Sequence, residues 1–151
     1  MGGAPLNLTL AFVAQRSRSD LLGPATKLYL DRITPYAPIE AVAFRSEEAL
    51  FDFVARQRAR TTAWLVLLDS KGEAFSSEQL AKWLGVRRDS GQQMIVFAIG
   101  PANGWSDRRQ AQTVLSLGPM TLPHELARLV LAEQLYRAFT ILAGHPYHIG
   151  H

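Results

Sequence analysis

The residue types best suited to chemistry are concentrated in the last part of the chain. All four histidines lie between His124 and His151, and two aromatic–basic pairs, Tyr136-Arg137 and Tyr147-His148, lie among them. Histidine can accept or donate a proton near neutral pH. Aromatic rings can stack on a nucleobase. The sequence therefore predicts a C-terminal site that handles a planar base and a proton.

Histidines can also bind metal ions or take part in hydrolysis, so these two functions are alternatives. His124, His145 and His148 have no cysteine or carboxylate at ligand spacing, and Pro146 prevents His145 and His148 from forming a helical pair. The GxSxG and HExxH patterns of common hydrolases are also missing. We therefore expect neither a metal site nor hydrolase chemistry.

A glycine-bearing turn, residues 100–104, follows an apolar run in the middle of the chain. It is too short for a phosphate-binding Walker loop and lacks the GxGxxG spacing of dinucleotide sites. Two interpretations stay open. The turn is either purely structural, or it allows a ligand to approach the backbone closely, because glycine has no side chain.

The balance of basic residues bears on the kind of partner. The net charge is only +3, with thirteen arginines against three lysines. Arginine binds phosphates with two hydrogen bonds and stacks on bases, which favours a nucleic-acid partner. Solvated arginine-rich helix faces explain the same composition equally well. Several arginines are clustered, at Arg16/Arg18, Arg56/Arg58/Arg60, Arg87/Arg88 and Arg108/Arg109.

Length and composition indicate one folded domain over residues 1–151. A chain of this size can bury a substantial core, and no apolar run is long enough to cross a membrane. The N-terminus lacks the pattern of a signal peptide, and the chain has no cysteine. We therefore expect a cytoplasmic protein without disulfides.

Hydrophobic periodicity predicts alternating strands and helices. Strands are predicted at residues 6–13, 39–44, 63–68, 94–99 and 113–117. Helices are predicted at 21–33, from a Ser46 cap to about residue 60, from a Ser76 cap to residue 84 or 87, and from 123 to about 142.

This alternation predicts an α/β fold with a mostly parallel sheet and helices on both faces. Ligands of such sheets bind beyond the carboxyl ends of the strands. Three predicted loops lie there, at residues 69–74, 100–105 and 118–122. The ionic side chains of the last helix, Arg128, Glu133 and Arg137, taken alone predict only surface ion pairs.

Several motifs together resemble the RlmH-type pseudouridine N3-methyltransferases of large-subunit ribosomal RNA, which are members of the SPOUT (α/β-knot) class. The resemblance is strong from residue 63 to residue 148. It implies a C-terminal trefoil knot, a homodimer, bound S-adenosylmethionine, and a pseudouridine of 23S rRNA in the assembled 70S ribosome as the target. The motifs are Leu68-Asp69, Ile99-Gly100, Leu115-Ser116-Leu117, Thr121-Leu-Pro-His124, Leu135-Tyr-Arg-Ala138 and His145-Pro-Tyr-His148.

The resemblance also implies roles for individual residues. Backbone groups at the cofactor turns would hold S-adenosylmethionine, at Leu68, Gly100, Leu117, Gly118, Pro119, Met120, Thr121 and Leu122. Four residues would contact the substrate, namely Tyr29, Arg32, Arg128 and Tyr136. Four more are candidates for catalysis: His148 as proton acceptor or water-positioning group, Tyr147 contacting the base, Arg137 offsetting charge on the ring, and His124.

Three positions depart from the family pattern: Pro101 replaces the second glycine of the cofactor turn, and Glu73 and Ile149 replace basic residues. They leave open an alternative, a knotted dimer of weakened activity that binds RNA or ribosomes. The last helix is also too apolar for one buried face, so we expect a partner subunit to cover the second face. Its apolar residues are Leu126, Leu129, Val130, Leu131, Leu135, Phe139, Ile141 and Leu142.

Overall fold

The computed structural model describes residues 5–14, 20–101 and 103–149. The Arg16/Arg18 cluster lies outside the described residues. The elements in chain order are β1 (Asn7–Val13), α1 (Gly23–Ile33), β2 (Ile39–Phe44), α2 (Glu47–Arg58), β3 (Ala63–Ala74), α3 (Ser77–Asp89), β4 (Met94–Ile99), β5 (Thr113–Ser116) and α4 (His124–Ala143).

Local sequence signals explain where most helices begin and end. The Ser46 side chain accepts a hydrogen bond from the Ala49 N–H at the start of α2. Ser76 and Gln79 form a reciprocal capping box at the start of α3. Helix α4 ends where Gly144 adopts a left-handed conformation with a φ of 71°, which glycine tolerates best. Both predicted serine caps are confirmed.

All five strands are parallel, in the order β2-β1-β4-β3-β5. The predicted α/β class with a parallel sheet is confirmed, and β2 and β4 have the predicted bounds. Strand pairing does not define how the chain threads through itself, so the trefoil knot stays a prediction.

Strand β3 differs from the prediction, which ended it at Leu68 and placed a loop at residues 69–74. The strand instead continues to Ala74 after an irregularity, and Glu73 pairs with Leu115 of β5. The return to pairing depends on Gly72, since a Cβ there would lie 2.6 Å from the Val114 carbonyl oxygen. Only glycine allows the two backbones to approach so closely.

The helices cover both faces of the sheet, as predicted. Helix α2 packs on one face through Leu50 and Val54. Helices α1, α3 and α4 share the other face, and α4 contacts both α1 and α3. Because α4 follows β5, its first turn lies near the carboxyl edge of the sheet. None of the helices in the described ranges is both long and apolar enough to cross a membrane.

Candidate functional site

The residues predicted to hold a cofactor come together at the carboxyl edge of the sheet. Leu68 of β3 pairs with Ile99 of β4 on one side and with Leu115 of β5 on the other. Gly100 directly follows β4, and the segment from Leu117 to Leu122 follows β5. Three adjacent strands therefore end in one place, where ligands of parallel sheets bind.

Gly118 shapes the turn after β5. Its φ is 133°, a backbone conformation that residues with a Cβ rarely adopt, and no atom lies within 4 Å of where its Cβ would be. The Ser116 hydroxyl accepts a hydrogen bond from the Gly118 N–H at 3.0 Å and lies 3.1 Å from the Ser70 carbonyl oxygen. Ser116 thus ties this turn to the neighbouring β3 backbone.

A cavity of about 340 Å³ opens beside this turn. Its walls are largely apolar, and Ser77 and Gln134 supply hydrogen-bonding groups. Small-molecule sites commonly combine apolar walls with a few polar groups. A larger groove of about 590 Å³ lies at the amino ends of β1, β2 and β4. We place the candidate site at the smaller cavity because it adjoins the predicted cofactor residues Leu117 and Gly118.

Trp105 supports the turn that begins at Gly100, a role that the sequence did not reveal. Its indole N–H donates to the Leu68 carbonyl oxygen at 3.0 Å, and the side chain is buried. A Cβ at Gly100 would lie 2.7 Å from this indole ring. Packing against Trp105 therefore requires a glycine at position 100, and the close approach of a ligand to its backbone stays a prediction.

Two carboxylates hold the segment that follows this turn. Glu47, in the first turn of α2, accepts hydrogen bonds from the Ser106 N–H at 3.0 Å and from its hydroxyl at 2.9 Å. Asp69 pairs with Arg108 at 2.7 Å. Burial by itself raises the pKa of the Asp69 carboxyl, but hydrogen bonds from the Lys71 N–H and Arg108 outweigh it, so the pKa is lowered.

Replacing Asp69 with asparagine is expected to lower the free energy of unfolding by about 1 kcal/mol at neutral pH, since half-exposed Arg108 loses its partner. A lowered pKa means that this stabilisation is present above the ordinary value of 3.8 and is lost as the pH falls through the folded-state value. Urea unfolding of both proteins at several pH values checks this. A difference that persists undiminished in strong acid would contradict it.

Six of the predicted substrate and catalytic residues form a second group, which we call the C-terminal cluster: Tyr29, Arg32, Tyr136, Arg137, Tyr147 and His148. The Tyr136 ring lies 4.8 Å from the Tyr147 ring and 6.1 Å from the Tyr29 ring. The Arg32 guanidinium lies 5.8 Å from the centre of the Tyr136 ring. Aromatic and cationic groups of α1, α4 and the C-terminal tail therefore converge.

A chain of polar contacts fixes the ionic side of the C-terminal cluster. Arg137 Nη2 donates to Glu133 Oε2 at 2.8 Å, and Arg137 Nη1 lies 3.0 Å from His148 Nδ1. His148 Nε2 lies 2.8 Å from Glu78 Oε2, and this hydrogen bond lowers the pKa of the Glu78 carboxyl. Surface ion pairs were one interpretation of these α4 charges, but the Glu133 and Arg137 side chains are only 19% and 14% exposed.

These partners define the tautomer of His148. A guanidinium only donates, so Nδ1 must accept from Arg137. Nε2 must then carry a hydrogen, and it donates a hydrogen bond to the Glu78 carboxylate. Both ring nitrogens are thus engaged. This geometry favours His148 as a group that orients Arg137, and its role as proton acceptor stays a prediction.

Tyr147 donates from its hydroxyl to Glu133 Oε2 at 2.8 Å. Burial, followed by its side-chain contacts with Glu133 and Tyr29, raises the pKa of Tyr147 well above its ordinary value of 10.0. The hydroxyl therefore stays protonated at neutral pH and acts as a donor.

His124 and Arg128 lie apart from the C-terminal cluster, in the first turns of α4. About 20 Å of helix separates His124 from Arg137 at 1.5 Å per residue. The His124 ring stacks on Phe12, and the buried Arg128 pairs with Asp20 at 2.8 Å. These two residues therefore flank the carboxyl end of β1, and Arg128 is not the surface ion pair that the sequence alone indicated.

Several clustered arginines serve internal contacts. Arg58 donates to the Gln110 carbonyl and to the Gln112 side chain, which joins α2 to the segment before β5. Arg87 lies 4.4 Å above the Trp64 ring. These contacts weaken the case that arginine content by itself indicates nucleic acid. Within residues 5–14, 20–101 and 103–149, no group of three or more histidine and carboxylate side chains could hold a metal ion.

Glu78, Trp105, Ser116 and Glu133 contribute to the site, although sequence reasoning did not select them. Glu133 had one available signal, its spacing of four residues before Arg137 on a helix. Ser116 lies within the Leu115-Ser116-Leu117 motif, although its contact with Ser70 joins segments that are distant in sequence. The contacts of Glu78 with His148 and of Trp105 with Leu68 also join distant segments, and no local pattern marks those two residues.

Comparison with known proteins bears on this geometry. A family model described as "Predicted SPOUT methyltransferase" matches residues 6–148. A Koribacter versatilis protein named "Ribosomal RNA large subunit methyltransferase H" is 49% identical over 138 residues, which cover 90% of this chain and 94% of that protein. A Pelobacter propionicus protein of the same name is 42% identical over 142 residues, covering 88% and 93%.

Among solved structures, the SpoU methyltransferase AviRb from Streptomyces viridochromogenes aligns with a TM-score of 0.52 at 17% identity. The alignment covers 92% of this chain and 61% of that chain, so this chain spans less than two thirds of that protein. A likeness at this identity shows the fold alone. It agrees with the parallel sheet and its helices.

Proposed function

The chain belongs to the SPOUT methyltransferase family, and on that premise we propose that it is an S-adenosylmethionine-dependent methyltransferase of large-subunit ribosomal RNA. The observation that supports this most directly is the convergence of Leu68, Gly100 and Leu117 at one edge of the sheet. Relatives that match over most of their length carry the name of such an enzyme.

The cavity fits the proposed cofactor. Apolar walls, among them Leu80, Leu115 and Val130, suit an adenine ring, and Ser77 and Gln134 suit polar groups. The positive φ of Gly118 leaves open space beside the backbone of the turn. The backbone from Leu117 to Leu122, with Leu68 and Gly100, would hold S-adenosylmethionine here. The bound cofactor supplies an electrophilic methyl group on a positively charged sulfur.

The proposed target atom is N3 of a pseudouridine in 23S rRNA of the assembled 70S ribosome. This atom must lose its proton as it is methylated, so charge develops on the ring. We assign to Arg137 of the C-terminal cluster the role of offsetting that charge. Tyr136 and Tyr147 offer aromatic faces for the base, and Tyr29 and Arg32 extend the same surface.

We propose that His148 orients Arg137 and also accepts the proton that leaves N3, either directly or through a water molecule that it positions. Tyr147 acts as a hydrogen-bond donor, and His124 and Arg128 contact the substrate near the start of α4. The proposed partners are a second copy of the chain and the ribosome, in the cytoplasm and without a metal ion. Two large apolar side chains, Leu21 and Met120, are 85% and 78% exposed, and a second subunit could cover them.

Methyl transfer from labelled S-adenosylmethionine to 70S ribosomes that lack the modification tests this function, with separated subunits and free rRNA as controls. We expect incorporation on 70S ribosomes, mapped to N3 of a pseudouridine. A folded protein that transfers no methyl group to any of these substrates would refute the proposal. Salt-sensitive ribosome binding in that case would favour the alternative of an RNA-binding module.

A further inference from the structure

Glu133 occupies a central position between Arg137 and Tyr147. Its Oε2 atom accepts from Arg137 Nη2 and from the Tyr147 hydroxyl, each at 2.8 Å. Its other oxygen, Oε1, accepts from the Gln134 side-chain amide at 2.8 Å. One carboxylate therefore holds two residues of the C-terminal cluster through a single oxygen.

This arrangement differs from an ordinary helix-surface ion pair, and the chain contains one for comparison. Lys27 and Asp31 have the same i, i+4 spacing on α1, but their side chains are 74% and 64% exposed. Glu133 and Arg137 are 19% and 14% exposed. Charges removed from water in this way are costly unless they are paired in good geometry, so the pair restricts where the guanidinium can lie.

The restriction acts on two side chains of the C-terminal cluster that also contact other groups. The Arg137 guanidinium lies 5.0 Å from the centre of the Tyr147 ring, and its Nη1 meets His148. Since Arg137 and Tyr147 share Glu133 Oε2, removing this acceptor would take away one contact from both side chains at once.

Glu133 is also connected to the cofactor cavity. The Gln134 amide that donates to Glu133 uses its oxygen to accept from the Ser77 hydroxyl at 2.6 Å, and both Gln134 and Ser77 line the cavity. A continuous hydrogen-bonded path thus runs from the cavity wall through Glu133 to Arg137.

We propose that Glu133 is a positioning residue for methyl transfer, which fixes Arg137 and Tyr147 at the orientation that the target base requires. This inference rests on the proposed methyltransferase function. Glu133 acts through these two neighbours and does not itself touch the reacting atoms.

Glu133→Gln tests this inference, because glutamine keeps the shape but removes the negative charge and replaces one of the two acceptor oxygens with an NH2 group. We expect kcat on 70S ribosomes to fall about 10- to 100-fold, as for a lost preorganised contact. The dissociation constant for S-adenosylmethionine and the KM for ribosomes should change about twofold at most. The matched control is Glu48→Gln, an exposed helical glutamate, which should leave all three constants unchanged.

Glu133→Asp and a double-mutant cycle separate positioning from a merely structural role. Aspartate keeps the charge, but its side chain is one methylene shorter, so its carboxylate lies farther from Arg137 and Tyr147. We therefore expect kcat to fall in this variant as well. With Tyr147→Phe, the combined loss in kcat should be smaller than the product of the single losses, because both changes break the same contact.

An unchanged kcat in Glu133→Asp, or in a folded Glu133→Gln, would overturn the inference, and so would losses that simply multiply with Tyr147→Phe. Should Glu133→Gln not fold, the aspartate variant decides. If the unaltered protein transfers no methyl group, the proposed function itself fails. If the parent is active and the Glu133 variants are equally active, only the positioning role of Glu133 is refuted.

Discussion

Arg137→Lys is expected to lower kcat for methyl transfer to 70S ribosomes by about two orders of magnitude, as for a lost stabiliser of developing charge. Lysine keeps the positive charge but cannot reach Glu133 Oε2 and His148 Nδ1 at once, because one ammonium group replaces a planar fork. The affinity for S-adenosylmethionine should be preserved, since Arg137 does not line the cofactor cavity.

Single-turnover kinetics and calorimetric cofactor binding together check this expectation. Arg109→Lys is the matched control, because Arg109 also pairs with a nearby carboxylate, Asp107, but its side chain is 90% exposed. It should retain the kcat of the parent. If the folded Arg137→Lys protein keeps a kcat within about threefold of the parent, the orientation of this guanidinium is unimportant. A threefold change is much smaller than the loss expected when a group that stabilises developing charge is removed.

Gly118→Ala is expected to weaken S-adenosylmethionine binding at least about tenfold and to lower the free energy of unfolding by about 1–3 kcal/mol, the usual cost of a strained backbone. At a φ of 133° a Cβ strains the backbone even though the space around it is open. The turn should relax by moving its N–H and carbonyl groups, and these groups form the proposed cradle.

Gly91→Ala is a control that distinguishes the effect of backbone strain from disruption of the proposed cofactor-binding turn. Gly91 also has a positive φ, of 86°, and no atom near its Cβ position, but it lies in the turn between α3 and β4 at the opposite end of the sheet. This control should reduce stability without changing cofactor affinity. If Gly118→Ala and Gly91→Ala both bind S-adenosylmethionine as tightly as the parent does, the turn at Gly118 is not part of the binding site.

Much of the architecture follows from local signals. The bounds of β2 and β4 follow from apolar runs between turn residues, and the starts of α2 and α3 follow from Ser46 and Ser76. Helix α1 begins two residues later than predicted, at Gly23, with Pro24 in its first turn. These features depend on short-range sterics and hydrogen bonds, which a sequence pattern records directly.

The motif resemblance located the candidate residues but not their arrangement. Leu68, Gly100 and Leu117 were expected to share one site, and adjacent parallel strands do bring them together. His124 and Arg137 were both candidates for catalysis. Within one chain α4 separates them along its length, and their roles stay predictions. The order of two residues in the sequence does not give the distance between them in space, either along a helix or between two subunits.

The sequence by itself determined the fold class, the strand and helix pattern and the family, because each is carried by local periodicity or by contiguous motifs. Only the tertiary structure decided that β3 continues past Gly72, that Trp105 supports Leu68, and that Glu133 joins Arg137 to Tyr147. The first two contacts join segments that are distant in sequence. The third joins a side chain of α4 to the C-terminal tail that folds back on this helix. Their energies arise from packing and from removal of polar groups from water, and both exist only once the chain has folded.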